Sequence, residues 1–150
     1  MSKKLHIVMC VVEPKNIEKI VPFLNEIGVW RLSFIYCARS QKSYKIDINR
    51  LEKIAISSSQ QCGRNSKIEF GFFKDMDELF RESKNLVICD FSTEKLSESN
   101  NEIDTILIGC EGGFSQEERA RFSTCKIVGL KPSNILKAET AATYVASKLL

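Results

Sequence analysis

Apolar positions along the chain alternate between short continuous runs and stretches in which they recur at helical spacing. The first run, residues 5–12, is continuously apolar apart from His6, which is typical of a strand that is covered on both faces of a sheet. The segment that follows repeats apolar residues three or four positions apart and ends at Gly28, as an amphipathic helix does. We therefore predict an α/β domain with a mainly parallel sheet flanked by helices. The further strand-like runs are 32–37, 68–73, 86–91, 105–108 and 126–128.

Polar residues stand where the predicted helices begin. Asp47 or Asn49 can cap the second helix, because a short polar side chain satisfies a free backbone N–H group of the first turn. Ser115 with Glu118 three residues later has the pattern of a capping box. Thr140 is the simplest capping residue for the C-terminal helix.

Composition places the chain among soluble globular domains. Its 150 residues suffice for one domain, and 43% of them are hydrophobic and 27% charged, which allows a packed core. No apolar stretch approaches the ~18 residues that a membrane span requires. The run at 5–12 is followed by Glu13 and Pro14 rather than by a cleavage site, which argues against a signal peptide. We expect a cytoplasmic protein that does not associate with membranes.

The histidine and cysteine content limits the chemistry that is available. His6 is the single histidine, so sites that need two histidines are excluded, and Ser-His-Asp or Cys-His catalysis would depend on this one residue. The six cysteines form no CxxC pair, and five of them lie in or beside apolar or small-residue runs. We expect reduced, mostly buried thiols and no metal site. The cysteines are Cys10, Cys37, Cys62, Cys89, Cys110 and Cys125.

Positive charge is concentrated in one part of the chain. The formal net charge is only +3, but the segment 31–67 contains eight basic and two acidic side chains. Such a surface suits the phosphate backbone of a nucleic acid, although an ordinary solvated helix and loop would have the same composition. Charge alone leaves both interpretations open. The basic residues are Arg31, Arg39, Lys42, Lys45, Arg50, Lys53, Arg64 and Lys67.

Two loops at predicted strand ends are candidates for a ligand site. The first, residues 108–115, holds three glycines between a strand and a capped helix, so its backbone can approach a ligand closely and offer free N–H groups. Ligands of open α/β sheets bind at the carboxyl ends of the strands, where this loop lies. The loop has neither GxGxxG spacing nor a P-loop lysine, and a tight turn before a helix is the simpler explanation. The second, residues 129–141, can be a plain connector capped by Ser133 or Asn134.

Together, the two loops resemble a pair of motifs from a known family. IGCEGGFSQEE and ILKAETAATYVASKLL are similar to the IGPEGG and ILRTETA motifs of the ribosomal RNA small subunit methyltransferase E family. This family belongs to the SPOUT class of S-adenosylmethionine-dependent methyltransferases. Shorter matches precede these motifs in the family's order, at 14–15, 25–29, 38–40, 54–56 and 61–64, so the similarity covers roughly residues 14–150.

The resemblance implies both a fold and a cofactor. Members of this family fold as a SPOUT α/β knot, in which the C-terminal segment forms a trefoil knot, a rare exception to the rule that chains are unknotted. The knot holds S-adenosylmethionine in a bent shape, largely through backbone groups. Residues 89–91 can add a wall to this pocket. The cofactor-binding residues that the resemblance implies are Ile108, Gly109, Glu111, Gly112, Leu130, Ile135, Leu136 and Ala141.

The resemblance also implies an activity, the methylation of N3 of a uridine in small-subunit (16S) ribosomal RNA by a homodimer with its site near the dimer interface. Because uracil N3 carries a weakly acidic proton, the enzyme must remove it and hold the anion in line with the sulfonium methyl group. Arg64 can orient the base or bind its phosphate, and Lys137 can offset the developing negative charge. Glu139 or Glu111 can be the general base or can fix loop geometry by accepting backbone N–H bonds, and we favour the second role for both. For RNA binding we expect Arg39, Lys42 and Arg64.

The sequence departs from the family in ways that leave other functions open. Full-length members begin with a PUA-like RNA-binding domain, so we expect residues 1–150 to be the SPOUT methyltransferase domain alone, with that N-terminal domain absent from this chain. Cys110 replaces the family proline, and Lys137 stands where the family has arginine. One alternative is a catalytically silent, knotted RNA-binding or assembly module. The other is an unrelated α/β nucleotide-binding protein in which the first loop binds a phosphate.

Overall fold

The computed structural model describes residues 3–90, 92, 94–97, 102–130 and 136–150, and within them the chain forms one six-stranded sheet flanked by helices. The strands are β1 (His6–Cys10), β2 (Arg31–Ile35), β3 (Glu69–Phe72), β4 (Leu86–Cys89), β5 (Thr105–Ile108) and β6 (Lys126–Val128). The helices are α1 (Pro14–Ile27), α2 (Ile48–Cys62), α3 (Met76–Glu82), α4 (Gln116–Ala120) and α5 (Ala138–Leu149). The predicted α/β fold class is confirmed.

All the strand pairings are parallel, in the order β3-β2-β1-β5-β4-β6. β1 lies inside the sheet, where Ile7 pairs with Leu32 of β2 on one side and with Ile106 of β5 on the other. Val8 and Met9 are fully buried, as the continuous apolar run predicts for a strand covered on both faces. Because the strands are parallel, their carboxyl ends share one edge of the sheet, which we call the carboxyl edge. The opposite edge is the amino edge.

The helices present apolar stripes to the core. In α1 this stripe consists of Ile17, Val21 and Leu24, all fully buried, and Gly28 ends the helix with a φ of 109°. α1 contacts both α2 and α5. Of the two candidate caps for α2 the structure uses Asp47, whose carboxylate accepts a hydrogen bond from a first-turn amide at 3.1 Å. None of the described helices is long and apolar enough to cross a membrane.

α5 begins differently from the sequence prediction. Its first helical residue is Ala138, and Lys137 occupies the N-cap position without a side-chain hydrogen bond. The prediction that Thr140 caps this helix is wrong, because Thr140 already lies within the first turn and a capping residue must precede it. The capping box predicted at Ser115 and Glu118 is confirmed at the start of α4.

Two cysteines are joined where we expected reduced thiols. Cys10 at the end of β1 and Cys37 after β2 form a disulfide, with their Cα atoms 5.5 Å apart. The expectation of reduced thiols is therefore wrong for this pair. The reason is that the pairing of β1 with β2 brings together two cysteines that are 27 residues apart in sequence. The other four cysteines are free, with Cys62 exposed and Cys110 buried.

The segment that follows β6 pairs with the described part of the loop after β4, through a parallel bridge between Gly129 and Lys95. Gly129 accepts a hydrogen bond from the Leu96 amide and donates one to the Glu94 carbonyl oxygen, each at 2.8 Å. A Cβ atom at this position would lie 2.7 Å from the Ser92 carbonyl oxygen, so the close approach requires glycine. The threading that would complete a knot involves residues 131–135, which lie outside the described residues, and the knot stays a prediction.

Candidate functional site

The candidate site begins with a turn at the carboxyl end of β5. Ile108, the last residue of this strand, is buried, and the turn closes with a hydrogen bond from the Gly113 amide to the Cys110 carbonyl oxygen at 2.8 Å. Gly113 adopts a φ of 73°, a conformation that favours glycine. Glu111 and Gly112 between them are exposed. The turn therefore presents backbone groups at the carboxyl edge, and we call residues 109–113 the glycine turn.

The glycine turn leads into a capped helix. Ser115 Oγ accepts a hydrogen bond from the Glu118 amide at 3.1 Å, and Glu118 Oε1 accepts one from the Ser115 amide at 2.9 Å. These reciprocal bonds fix the start of α4. The buried Phe114 ring packs against the other end of the turn, since a Cβ atom on Gly109 would lie 3.1 Å from that ring. The turn is thus held from both sides.

A second loop, residues 36–47 after β2, lies directly against the glycine turn, and we call it the basic loop. Arg39 Nη1 donates a hydrogen bond to the Gly112 carbonyl oxygen at 2.5 Å, and its Cδ atom lies 3.2 Å from the place that a Gly112 Cβ would take. The Ala38 amide donates to Glu118 Oε2 at 3.0 Å. The structure therefore brings an expected RNA-binding residue next to an expected cofactor-binding residue.

The basic loop is organised around an aromatic ring. The Tyr36 hydroxyl donates a hydrogen bond to the Tyr44 carbonyl oxygen. The ammonium groups of Lys42 and Lys45 lie 5.2 and 5.8 Å from the centre of the Tyr36 ring, which is within cation–π range. Lys42 also donates to the Cys37 carbonyl oxygen at 3.2 Å. Exposed cations beside an aromatic face suit both the phosphates and the bases of RNA.

An ion pair links the end of β4 to α4. Arg119 donates from Nε and Nη2 to the two carboxylate oxygens of Asp90 at 2.8 and 3.1 Å, and this hydrogen bonding raises the pKa of Arg119 above its ordinary value. Burial raises the pKa of the neighbouring Cys89 thiol to about 12, with the charge of Asp90 as a smaller cause. Cys89 therefore stays protonated at neutral pH, which argues against a nucleophilic role, and its place in the wall of a cofactor pocket stays a prediction. Residue 91, the last of the predicted wall, lies outside the described residues.

The second candidate loop is described only at its two ends. Leu130 and Leu136 are half-buried and pack against the core, and Ala141 is buried in α5. Ile135, the other cofactor residue predicted here, lies outside the described residues. Lys137 is exposed at the start of α5, where its carbonyl oxygen accepts a hydrogen bond from the Ala141 amide at 2.8 Å. The Lys137 side chain is therefore accessible to a substrate.

Glu139 places a carboxylate in the interior. The residue is 8% exposed, and its Oε1 has no hydrogen-bond partner among the residues that the structure describes. A buried carboxylate oxygen without a partner is unfavourable, so this atom is suited to accept an N–H or O–H group from a ligand. Glu139 lies in the first turn of α5, where the helix dipole favours negative charge.

Arg64 lies away from these groups. It follows α2 and precedes β3, which places it at the amino edge of the sheet. Its guanidinium donates to the backbone and side-chain oxygens of Asn25 at 2.7 and 3.0 Å and to the Val29 carbonyl oxygen at 3.1 Å. Burial lowers its pKa below the ordinary value of arginine. Within one chain the structure does not bring Arg64 together with Lys137 or the basic loop, and its catalytic and RNA-binding roles stay predictions.

A cavity of about 630 Å³ opens at the amino edge, near the beginnings of β4 and β6. Its lining includes Phe80, Arg121 and Lys126. The two cations are already paired, Arg121 with Asp77 and Lys126 with Glu94. No described residue of the predicted site lines this cavity, so we do not assign the site to it.

Sequence reasoning missed three features of the carboxyl edge. The pattern at Glu118 predicts a helix cap, but it does not show that the second carboxylate oxygen reaches the basic loop. Asp90 offers a weak signal, because it is an acidic residue directly after a buried strand. Nothing in the sequence pairs it with Arg119, since that contact depends on how α4 returns across the edge. Tyr36 is recognisable as the centre of the basic loop only once the loop is folded.

The fold is that of the open, parallel α/β proteins, which as a class bind ligands at the carboxyl edge of the sheet, where the candidate site lies. The family model described as "RNA methyltransferase domain" matches residues 1–150. The chain belongs to this family of RNA methyltransferase domains. The alternative of an unrelated nucleotide-binding protein is thereby excluded.

Named relatives and solved structures agree with this assignment. A Helicobacter pylori protein named ribosomal RNA small subunit methyltransferase E is 42% identical over 149 residues, which are 97% of this chain and 66% of the relative. A Legionella pneumophila structure described as a methyltransferase in complex with the bound cofactor SAM is 26% identical, with a TM-score of 0.82. A Neisseria gonorrhoeae ribosomal RNA small subunit methyltransferase E bound to S-adenosyl methionine is 18% identical and shares the fold, with a TM-score of 0.81. Each structural match covers 97% of this chain and 64% of the other, so the chain spans just under two thirds of these proteins.

Proposed function

We propose that this chain is the catalytic domain of an S-adenosylmethionine-dependent methyltransferase acting on N3 of a uridine in small-subunit (16S) ribosomal RNA. The observation that carries the proposal is the contact between Arg39 and Gly112, which joins a basic loop to an exposed glycine turn. A methyltransferase needs two such surfaces side by side, because the methyl donor and the acceptor base must meet in one site. Membership of the RNA methyltransferase family and the name of the Helicobacter pylori relative support the same function.

The donor would bind at the carboxyl edge, between the glycine turn and α5. The residues there fit such a ligand, because Glu111 and Gly112 expose backbone donors and acceptors and the buried Glu139 Oε1 lacks a partner among the described residues. Leu130 and Leu136, both half-buried, can contribute apolar contacts. When bound, S-adenosylmethionine supplies the electrophilic methyl group.

The RNA would bind on the basic loop. Arg39 and Lys42 are exposed there, and both can contact phosphates. Lys137 is exposed at the start of α5, where its positive charge would favour loss of the N3 proton and stabilise the uracil anion. For Glu139 we favour a role in fixing the geometry of the loop or the ligand over that of a general base, since its position is suited to accepting a hydrogen bond.

We also propose that the protein acts in the cytoplasm as a homodimer, without a metal. Phe23 on α1 and Leu150 after α5 are 53% and 43% exposed, and the two helices contact each other. Large exposed apolar side chains on adjoining helices are suited to contact with a second copy of the chain. In such a dimer, Arg64 at the amino edge would have to reach the site of the other chain to take part in catalysis.

Methyl transfer to defined RNAs tests the proposed function. The chain is incubated with S-adenosylmethionine labelled in its methyl group, and with 16S rRNA or small subunits from cells that lack this modification. Large-subunit rRNA is the control, and the digested nucleosides are identified by mass spectrometry. Labelled 3-methyluridine in the small-subunit samples alone supports the function. RNA binding without any labelled nucleoside would establish the catalytically silent module instead, and label at another base atom would contradict the assigned reaction.

A further inference from the structure

One carboxylate joins the two halves of the candidate site. Glu118 Oε1 accepts the hydrogen bond of the Ser115 amide at 2.9 Å, which caps α4, and Oε2 accepts that of the Ala38 amide at 3.0 Å. Arg39, the next residue of the basic loop, donates to the Gly112 carbonyl oxygen at 2.5 Å. Two hydrogen bonds therefore run from the basic loop to the glycine turn and the helix that follows it.

These hydrogen bonds bridge strands that do not pair with each other. The basic loop leaves β2 and the glycine turn leaves β5, and β1 lies between these two strands in the sheet. The backbone ladder fixes the strands, but the relative position of the two loops depends on contacts at the carboxyl edge. Glu118 is half-buried, and hydrogen bonds to a carboxylate are stronger than those between neutral groups. Its side chain is therefore well placed to hold one loop against the other.

Arg39 can serve both loops at the same time. A guanidinium carries five N–H donors in a planar fork, and the bond to Gly112 uses Nη1. The remaining donors can bind an RNA phosphate while that bond persists. A lysine would keep the charge but would lack the fork that can bind two acceptors in fixed directions.

We propose that Glu118 is a positioning residue that couples RNA binding on the basic loop to donor binding on the glycine turn. This inference rests on the proposed function, because it requires both ligands. RNA phosphates bound to Arg39 and Lys42 hold the basic loop in place, and the Ala38 and Arg39 hydrogen bonds transmit that restraint to Glu118 and Gly112. By thermodynamic linkage, each ligand then binds more tightly in the presence of the other, by the same factor.

Equilibrium binding of radiolabelled S-adenosylhomocysteine, with and without saturating 16S rRNA, tests the coupling. In the wild type we expect RNA to lower the Kd at least about 5-fold, within the usual range for coupled sites. In Glu118→Gln we expect a change of less than about 2-fold. The two backbone amides donate to different oxygens of Glu118, and the NH2 group that replaces one of these oxygens in glutamine cannot accept a hydrogen bond. Glu117→Gln removes the same charge from the adjacent, exposed position of α4 and is expected to keep the wild-type effect.

The ratio of the two Kd values separates coupling from a structural role. If Glu118 only stabilised the fold, its substitution would lower the thermal midpoint and leave this ratio unchanged. Should Glu118→Gln fail to fold, Arg39→Lys is the second variant, with the same loss of the RNA effect expected. The inference is overturned if the wild type binds S-adenosylhomocysteine without any RNA effect, or if the variant retains the effect. A wild type that binds no S-adenosylhomocysteine contradicts the proposed function itself, and with it the coupling.

Discussion

Arg39 is in direct contact with Gly112. Its Nη1 donates a hydrogen bond to the Gly112 carbonyl oxygen, and its aliphatic carbons pack against the position that a Cβ atom of residue 112 would take. The two residues are 73 positions apart in sequence and belong to loops that leave different strands. Their contact places a basic, exposed surface beside an exposed glycine turn. A donor ligand and an RNA bound to these two surfaces would therefore be neighbours.

Two glycine-to-alanine substitutions should affect different properties, one the stability of the protein and the other its ligand binding. Gly129→Ala places a methyl group 2.7 Å from the Ser92 carbonyl oxygen, and we expect the free energy of unfolding to fall by about 1–3 kcal/mol, because backbone must move. Gly112→Ala meets only the flexible Arg39 stem, so its stability should change little. Since it displaces the Arg39 hydrogen bond, it should weaken S-adenosylhomocysteine binding by about 10-fold. Urea unfolding and calorimetry measure the two effects, and equal losses of stability would refute this distinction.

Arg64→Ala should destabilise the protein. Removing the guanidinium takes the Arg64 donor away from the backbone carbonyl oxygens of Asn25 and Val29, whereas Asn25 Oδ1 keeps the hydrogen bond from the Ile68 amide. We expect a loss of about 2–3 kcal/mol in the free energy of unfolding. Arg50→Ala is the matched control, because the exposed Arg50 guanidinium pairs with Glu18 at the surface and the backbone hydrogen bond to Asp47 is kept in the variant, so the substitution should matter little. Urea unfolding measures both variants. If Arg64→Ala kept full stability but lost methyl transfer, a catalytic role would replace the structural one.

His6 should make stability depend on pH. Burial lowers its pKa to about 4 from the ordinary 6.5, with the charge of Arg31 as a smaller cause. Between these two pH values the unfolded chain binds the proton and the native protein does not. The free energy of unfolding should therefore fall as the pH drops from 6.5 to 4, by about 3 kcal/mol from this group, with no further loss from it below that window.

The matched variant for this pH dependence is His6→Asn. Urea unfolding at several pH values should show a shallower slope for the variant than for the wild type. The carboxylates contribute equally to both proteins, so the difference between the slopes reports on His6. Identical slopes would show that His6 titrates normally in the folded protein.

The disulfide between Cys10 and Cys37 should stabilise the fold. Both residues are buried, and the bond closes a loop with a sequence separation of 27 residues. Loop-closure entropy then predicts that reduction lowers the free energy of unfolding by about 3–4 kcal/mol. Alkylation of the denatured, unreduced protein should modify four thiols, as counted by mass spectrometry, and Cys62→Ser should reduce that number to three. Six modified thiols in the wild type would contradict the pairing.

Much of the fold can be predicted from the sequence because strand and helix patterns are local. The continuous apolar run of β1 and the glycine that ends α1 each carry their own signal. The disulfide cannot be predicted in this way, since it depends on which strands become neighbours. The glycine turn and the basic loop are both recognisable as segments, but the contact of Arg39 with Gly112 depends on tertiary packing. Arg64 has the charge of a ligand-binding residue. The folded structure is needed to show that its guanidinium lies at the amino edge and donates hydrogen bonds to the oxygens of Asn25 and Val29.

Amide hydrogen exchange most directly tests whether the carboxyl edge binds both the methyl donor and the RNA. With saturating S-adenosylhomocysteine, exchange should slow in residues 109–113 and in the first turn of α5, and with 16S rRNA it should slow in residues 36–47. Slower exchange confined to the cavity at the amino edge, around 83–87 and 121–126, would contradict this account. So would the absence of any change with either ligand.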